Sequence, residues 1–295
     1  TAGGLRATAS FAIPEALTSI TIKHEGKNTA LSSLRVAGGS TTELTATGWY
    51  YGNKVYSADT SFTWSVSDAL GTIDEDGTFT AVQTGRDVTG TLTVTYGETS
   101  CTLPVTVGSS QPFDDTKGHW AESYITELYY AGTLQGSEKN GKLYYRPDAS
   151  MTRQEFIVAM MRYLGTDLSA YASVQLPFDD SGSIASWAKS AMQAAYQLGY
   201  LTGSKTNGKL LAKPSSTISR QEAMTILSRT KDFADADLNV LSAFSDSGKI
   251  ADWARTALAQ MAQQKIISGS KGKLNPTGKV TRAEVAKMLY MLSER

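Results

Sequence analysis

Cysteine is almost absent from this 295-residue chain: Cys101 stands alone, so no internal disulfide can form. Histidine is nearly as scarce. His24 and His119 are too few for a His-rich metal site, and neither a metal nor another cofactor is expected. No apolar stretch is long enough to span a bilayer, which argues against membrane insertion. Charge of one sign is also missing. Lys plus Arg number 28 and Asp plus Glu number 28, so no global field favours nucleic acid or a membrane surface. Any charged ligand has to be met by local groups. Thr1 opens a polar, Gly-containing segment with no apolar leader, so the chain reads as a mature or excised fragment, or as an intracellular protein. The length is sufficient for two or three domains with buried cores.

Two compositions are joined in one chain. The first third is rich in Thr, Ser, Val and Gly; the remainder is rich in Ala, Met, Leu and Gln. The change falls at Gly108-Ser109-Ser110-Gln111-Pro112, which has no apolar period and reads as a linker over 109–112. Residues 17–108 carry short segments of alternating pattern. Ile20 and Ile22 share a face, as do Phe62, Trp64 and Val66; Leu92, Val94 and Tyr96; and Leu103, Val105 and Val107. Period-two alternation between turn residues predicts an antiparallel β-sandwich. Asp74-Glu75-Asp76-Gly77 has the look of a calcium loop, but Gly85 stands where that loop needs a bidentate Glu, and a hairpin turn accounts for the same residues. Cys101 is read as a half-buried structural thiol. Residues 1–16 fit neither part and are read as an N-terminal extension or the tail of an upstream domain.

From residue 113 the chain repeats itself, with units at about 113–170, 178–235 and 244–295. Phe113-Asp114-Asp115 returns as Phe178-Asp179-Asp180 and Phe244-Ser245-Asp246. Trp120-Ala121 returns as Trp187-Ala188 and Trp253-Ala254. The Gly-Ser pair at Gly136 recurs at Gly203 and Gly269. Thr152-Arg153-Gln154-Glu155 returns as Ser219-Arg220-Gln221-Glu222 and Thr281-Arg282-Ala283-Glu284. After each Trp, apolar residues recur in pairs four apart (Tyr124, Ile125, Leu128 and Tyr129 in the first unit), which paints one helical face. Each unit therefore reads as helix, loop, helix, and the second helix opens on a capping box of Thr or Ser with Glu three residues on. The Arg inside that box lies on the first turn, where the helix dipole prefers acids. A cation placed there three times points to an anionic ligand.

These motifs carry two resemblances. The run Phe62-Thr63-Trp64-Ser65, Gly71-Thr72-Ile73-Asp74, Gly77-Thr78-Phe79-Thr80-Ala81 and Gly90-Thr91-Leu92-Thr93-Val94 resembles a bacterial immunoglobulin-like domain of the kind repeated in surface adhesins. That resemblance implies a spacer or protein-binding module. Residues 113–295 resemble the S-layer homology domain in three tandem copies. The implied fold is an all-β immunoglobulin-like sandwich followed by an all-α three-repeat assembly, monomeric with internal three-fold pseudo-symmetry. The implied partner is a secondary cell-wall polysaccharide of Gram-positive bacteria, acidic and often pyruvylated on N-acetylmannosamine. The implied function is non-covalent anchoring of a secreted protein at the cell wall.

A pyruvyl carboxylate suits the planar donor fork of Arg153, Arg220 and Arg282, assisted by free N–H groups at the helix mouths. Trp120, Trp187 and Trp253 would offer rings to a sugar face. Asp115, Asp180 and Asp246 would accept sugar hydroxyls. Gly136, Gly203 and Gly269 would permit close approach. Each also has a structural alternative: core packing for Trp, capping of the turn into the first helix for Asp, turn geometry for Gly, an internal ion pair for Arg. Repeat three departs from the pattern, with Lys265 in place of Gly132 and Gly199 and a shorter loop, so its loop's groove is expected to bind least. No catalytic residue is expected. Asp114-Asp115 and Asp179-Asp180 are adjacent pairs that point different ways, and the third unit lacks the pair. Two other readings stay open: a surface-lattice protein-interaction module without sugar binding, and the tether of an upstream glycosidase.

Overall fold

The computed structural model describes residues 17–51, 53–55 and 61–293. The segment 1–16 read as an extension lies outside them. The chain separates into two compact units, Thr1–Pro112 and Phe113–Arg295.

In the first unit the alternating segments become strands β1 (Ser19–His24), β2 (Leu34–Ala37), β3 (Thr41–Tyr50), β4 (Asn53–Val55), β5 (Thr63–Val66), β6 (Gly71–Ile73), β7 (Thr78–Ala81), β8 (Val88–Tyr96) and β9 (Thr99–Gly108). One sheet runs β1-β3-β7-β6, with β4 paired to β3; the other runs β2-β9-β8-β5. Alternation did identify the buried faces. Ile20, Ile22, Leu44 and Phe79 from the first sheet share a core with Val36, Leu92, Val94, Leu103, Val105 and Val107 from the second. The expected purely antiparallel immunoglobulin-like sandwich is nonetheless not what forms. β2 runs parallel to β9, Leu34 opposite Val105 through Ala37 opposite Gly108, and the described residues form no clear immunoglobulin arrangement. The alternation fixes which face a strand buries; it carries no information on partner or direction.

Asp74 to Gly77 is the turn between β6 and β7. Asp74 Oδ1 accepts from the backbone N–H of Asp76 (3.1 Å) and Thr78 (2.8 Å), and Gly77 takes φ +89°. Cys101 is half-buried against the core, and that burial pushes its thiol pKa up. On β1, burial first and then Lys27 hold the His24 imidazole below its ordinary value of 6.5. A depressed folded-state value means that the neutral form is favoured by folding. The contribution is thus complete above 6.5 and is lost as pH falls through the folded value. Acidification below 6.5 is expected to lower the melting temperature of the β-unit, and His24→Gln should remove that component of the slope in scanning calorimetry.

The second unit is not all-α. Its helices are α1 (Glu122–Tyr130), α2 (Arg153–Tyr163), α3 (Lys189–Gln197), α4 (Arg220–Ser228), α5 (Arg255–Gln263) and α6 (Arg282–Ser293). The loops of the first two repeats are β-hairpins, β10 (Ser137–Lys139) with β11 (Lys142–Tyr144) and β12 (Ser204–Thr206) with β13 (Lys209–Leu211). Their two-residue turns are Asn140-Gly141 (φ 53° and 72°) and Asn207-Gly208 (φ 50° and 76°). Both central residues at positive φ make a primed turn, whose twist matches that of the strands. The shorter third loop keeps one bridge, Ser270 with Lys273.

The second helix of each repeat packs on the first helix of the next: α2 on α3, α4 on α5, and α6 back on α1. The predicted apolar faces point inward, with Ile125, Met192 and Leu258 each fully buried. At the centre three backbone bonds close a ring. Met151 N–H donates to Val280 O (3.1 Å), Val280 N–H to Ile218 O (3.0 Å), and Ile218 N–H to Met151 O (3.0 Å). Each repeat thus satisfies a buried backbone group of another, and all three side chains at this ring are buried.

Candidate functional site

The capping boxes form as the spacing predicts. The Thr152 N–H donates to Glu155 Oε2 (2.7 Å) and the Glu155 N–H donates to Thr152 Oγ1 (3.4 Å); Ser219 with Glu222 and Thr281 with Glu284 repeat the exchange. The other first-turn amides are also occupied. Arg153 N–H donates to Ser216 O, Arg220 N–H to Gly278 O and Arg282 N–H to Ala149 O, each at 2.9 Å. The next residue along donates to Pro214, Pro276 or Pro147 O. The expectation of free N–H groups at the helix mouths is therefore corrected: the loop of a neighbouring repeat already takes them. An anion here would be held by side chains.

The three arginines are unequal. Arg153 Nη1 lies 3.0 Å from Glu222 Oε1 and Arg220 Nη1 pairs with Glu284 Oε1 at 2.6 Å, with both arginine side chains nearly covered. In each pair one carboxylate oxygen serves its own helix cap and the other reaches the preceding repeat. The structural alternative thus accounts for part of these two residues. Desolvation lowers the Arg153 pKa despite Glu222. Arg282 breaks the cycle. Its Nε donates to Tyr145 O (2.7 Å) and its Nη2 to Gln135 O (2.8 Å), and the guanidinium sits 4.5 Å from the centre of the Tyr145 ring. Neither Arg282 nor Glu155 has an ion pair among the described residues. Tyr145 is special to repeat one; Ala212 and Leu274 occupy its place elsewhere.

Trp120, Trp187 and Trp253 are 55%, 57% and 58% exposed. The core alternative for them is excluded. Each precedes its helix on a turn, with the following Ala121, Ala188 or Ala254 buried instead. Two clefts receive the rings of Trp120 and Trp187. The larger, about 640 Å³, joins Trp120 of repeat one, Arg220 of repeat two and the loop around Gly269 of repeat three, with Glu284, Lys287 and Lys273. The smaller, about 260 Å³, joins Trp187, Arg282 and the loop around Gly136, with Glu155, Arg146 and Arg162. Each cleft draws on all three repeats, in cyclic permutation. The departures of repeat three do not close its groove, since its loop lines the larger of these clefts. By the same rotation Arg153, Trp253 and the Gly203 loop define a third position, where Arg229 Nη1 donates to Tyr200 O (2.8 Å) across the loop.

The aspartates serve the fold. Asp115 accepts from Tyr145 N–H (2.8 Å) and Arg146 N–H (2.7 Å), Asp180 from Ala212 and Lys213 (both 2.8 Å), and Asp246 from Leu274 (2.9 Å) and Asn275 (2.8 Å). The second residue of each pair, Arg146, Lys213 or Asn275, has positive φ. Each carboxylate therefore pins a strained loop corner before the second helix. It does not cap the first helix, and Asp115 and Asp246 do not line the two clefts.

The glycines are required by packing: a Cβ at Gly136 would stand 2.4 Å from Phe113 Cε1 and 2.6 Å from Tyr144 O, and Gly203 and Gly269 meet Phe178 and Phe244 likewise. Gly136→Ala is expected to cost about 2 kcal/mol in denaturant unfolding, as overpacking of a tight site does.

The S-layer homology domain family model matches residues 112–157, 177–224 and 243–286. The chain is an S-layer homology protein with three tandem repeats. A cell-surface attachment unit of this family thus occupies the C-terminal part, and the match includes no residue before 112. The chain is 29% identical over 208 residues to an amylopullulanase of Thermoanaerobacterium thermosulfurigenes, covering 69% of the chain and 10% of that protein. It is 29% identical over 244 residues to exoglucanase XynX of Acetivibrio thermocellus, covering 79% and 21%. It is 32% identical over 129 residues to a surface-layer 125 kDa protein of Lysinibacillus sphaericus, covering 42% and 10%. The matched stretches are thus small parts of much longer proteins.

Sequence reading allowed an internal ion pair for each Arg but did not identify its partner, and it missed the hairpins. The Asn-Gly dipeptides signalled the hairpins; nothing local signalled the partners Glu222 and Glu284, which lie 69 and 64 positions along the chain from Arg153 and Arg220.

Proposed function

We propose that the S-layer homology repeats anchor a surface protein by gripping an acidic secondary cell-wall polysaccharide, pyruvylated N-acetylmannosamine being the sugar that suits the clefts. The observation that carries this reading is the pairing, in each of two clefts, of a solvent-exposed indole with a guanidinium from a different repeat. An apolar sugar face lies on the ring, and a carboxylate is met by arginine. Arg282, with no carboxylate partner among the described residues, is the readiest of the three. Arg220 takes an anion in competition with Glu284. Several weak grooves on one multivalent polymer add by avidity. The β-unit serves as spacer or display module. The cargo is a further part of a longer secreted protein: the names of the relatives suggest a polysaccharide-degrading enzyme or a surface-layer subunit, and the anchoring unit itself contributes no catalysis.

Sedimentation with isolated sacculi tests the proposal. The chain is expected to pellet with walls that carry their polysaccharide and to stay in the supernatant with stripped walls. Equal pelleting with both would favour protein–protein assembly, the reading that the surface-layer relative suggests.

A further inference from the structure

The smaller cleft does not end at Arg146. A second cavity of about 450 Å³ lies beside it, lined by Ser137, Lys139, Asn140, Tyr144 and the same Arg146. Arg146 is thus the shared wall of two adjoining cavities. Its position is fixed from two sides: its N–H donates to Asp115 Oδ2 (2.7 Å), and its Nη2 donates to Ser137 Oγ (3.2 Å). The second cavity belongs to the β10–β11 hairpin, whose turn presents Asn140 between Lys139 and Lys142. None of its five lining residues is acidic, and together they supply two cationic groups, an amide, a hydroxyl and a half-buried phenol ring. That is the donor-rich lining, with one aromatic wall, that a sugar carrying many hydroxyl acceptors requires.

The other repeats do not reproduce it. Thr206 and Leu211 stand in repeat two where repeat one has Lys139 and Tyr144, and the repeat-three loop is too short for a full hairpin.

We infer that repeat one's cleft is the first chamber of a two-chamber track, in which the acidic terminal sugar sits by Arg282 and Trp187 and the next sugar of the same chain sits by Lys139, Asn140 and Tyr144. The inference rests on the polysaccharide reading above and extends it from one sugar to two. It assigns to Arg146 the position between the two rings, where its guanidinium meets oxygens near the glycosidic link. The other two repeats replace the residues that line the second chamber, so on this inference the three grooves differ in the length of chain they recognise.

The test uses the whole chain with Trp120→Ala and Trp253→Ala, which remove the ring from the other two grooves. Pyruvylated N-acetylmannosamine and the disaccharide that it caps are titrated calorimetrically. The disaccharide is expected to bind about tenfold more tightly than the monosaccharide, the equivalent of one or two added polar contacts. Adding Lys139→Ala and Asn140→Gly, which keeps the turn conformation, should abolish that advantage and leave monosaccharide affinity unchanged. Equal affinity for the two sugars, or an advantage that survives the double substitution, overturns the two-chamber track alone. Binding to the unaltered chain that is lost in the Trp-substituted background overturns it as well. Failure of both sugars to bind the unaltered chain overturns the polysaccharide reading, and the track with it.

Discussion

Asp180→Ala is expected to destabilise the S-layer homology unit by about 3 kcal/mol or more, and to leave wall binding by the folded fraction intact. Both Asp180 oxygens accept backbone N–H groups, from Ala212 and Lys213, each at 2.8 Å. Bonds to a charged acceptor are worth roughly 1.5–3 kcal/mol each, and alanine removes both at once. Lys213 would lose its hold at φ 52°, a conformation that a residue with a Cβ adopts reluctantly. The corner it forms leads into Pro214, whose carbonyl accepts the Gln154 N–H, and Ser216 O nearby accepts the Arg153 N–H. The loss therefore spreads to the mouth of a helix in another repeat. Asp180→Asn keeps one acceptor oxygen and turns an NH2 toward the other N–H, so an intermediate loss is expected. Denaturant titration of the helical circular dichroism measures both. Were Asp180 a sugar contact only, stability would not move and binding would fall.

The same geometry makes stability acid-sensitive. At Asp246 burial raises the carboxyl pKa, but the N–H groups of Leu274 and Asn275 outweigh it and hold it below the ordinary carboxylate value of 3.8. Folding favours the ionised form, so this contribution is present above 3.8 and disappears as pH falls through the lower folded value.

What the sequence revealed follows the range of each interaction. Patterns confined to one helix or one strand were legible: the helical faces of the three repeats, the Thr152–Glu155 exchange and its two counterparts, and the buried faces of β8 and β9. The capping box is complete within four residues, so its spacing specifies it. Contacts between repeats were not legible. Glu222 reads locally as a cap, and only the ring of helices brings its second oxygen to Arg153. The parallel pairing of β2 with β9 failed for the same reason, since alternation is identical in either direction. For the Trp residues the sequence left two readings open, sugar contact and core. An apolar residue one position before an apolar helical face fits a core, but the turn before each helix buries the following Ala and leaves the indole outside.

That exposure makes the tryptophans a cleaner probe of binding than the arginines. Replacing Trp120, Trp187 and Trp253 together with alanine is expected to abolish retention on polysaccharide-bearing walls. Loss of an apolar ring from a binding surface costs roughly 1–2 kcal/mol per groove. Because the grooves act in parallel on one polymer, the losses compound, and retention should fall by about a hundredfold or more. Stability should change by only about 0.5 kcal/mol, since each indole is more than half exposed and packs little. Replacing Arg153, Arg220 and Arg282 together should also abolish binding, but two of these side chains are nearly covered and ion-paired between repeats. Removing them leaves Glu222 and Glu284 without their partners, so lost binding would be mixed with a loosened ring. Arg282→Ala alone leaves no carboxylate among the described residues without its partner, although it releases the Tyr145 and Gln135 carbonyls of repeat one. Wall retention that survived the triple Trp substitution in a protein with an unaltered melting curve would remove the exposed rings from the binding surface, and the cleft pairing of indole with guanidinium would no longer explain attachment.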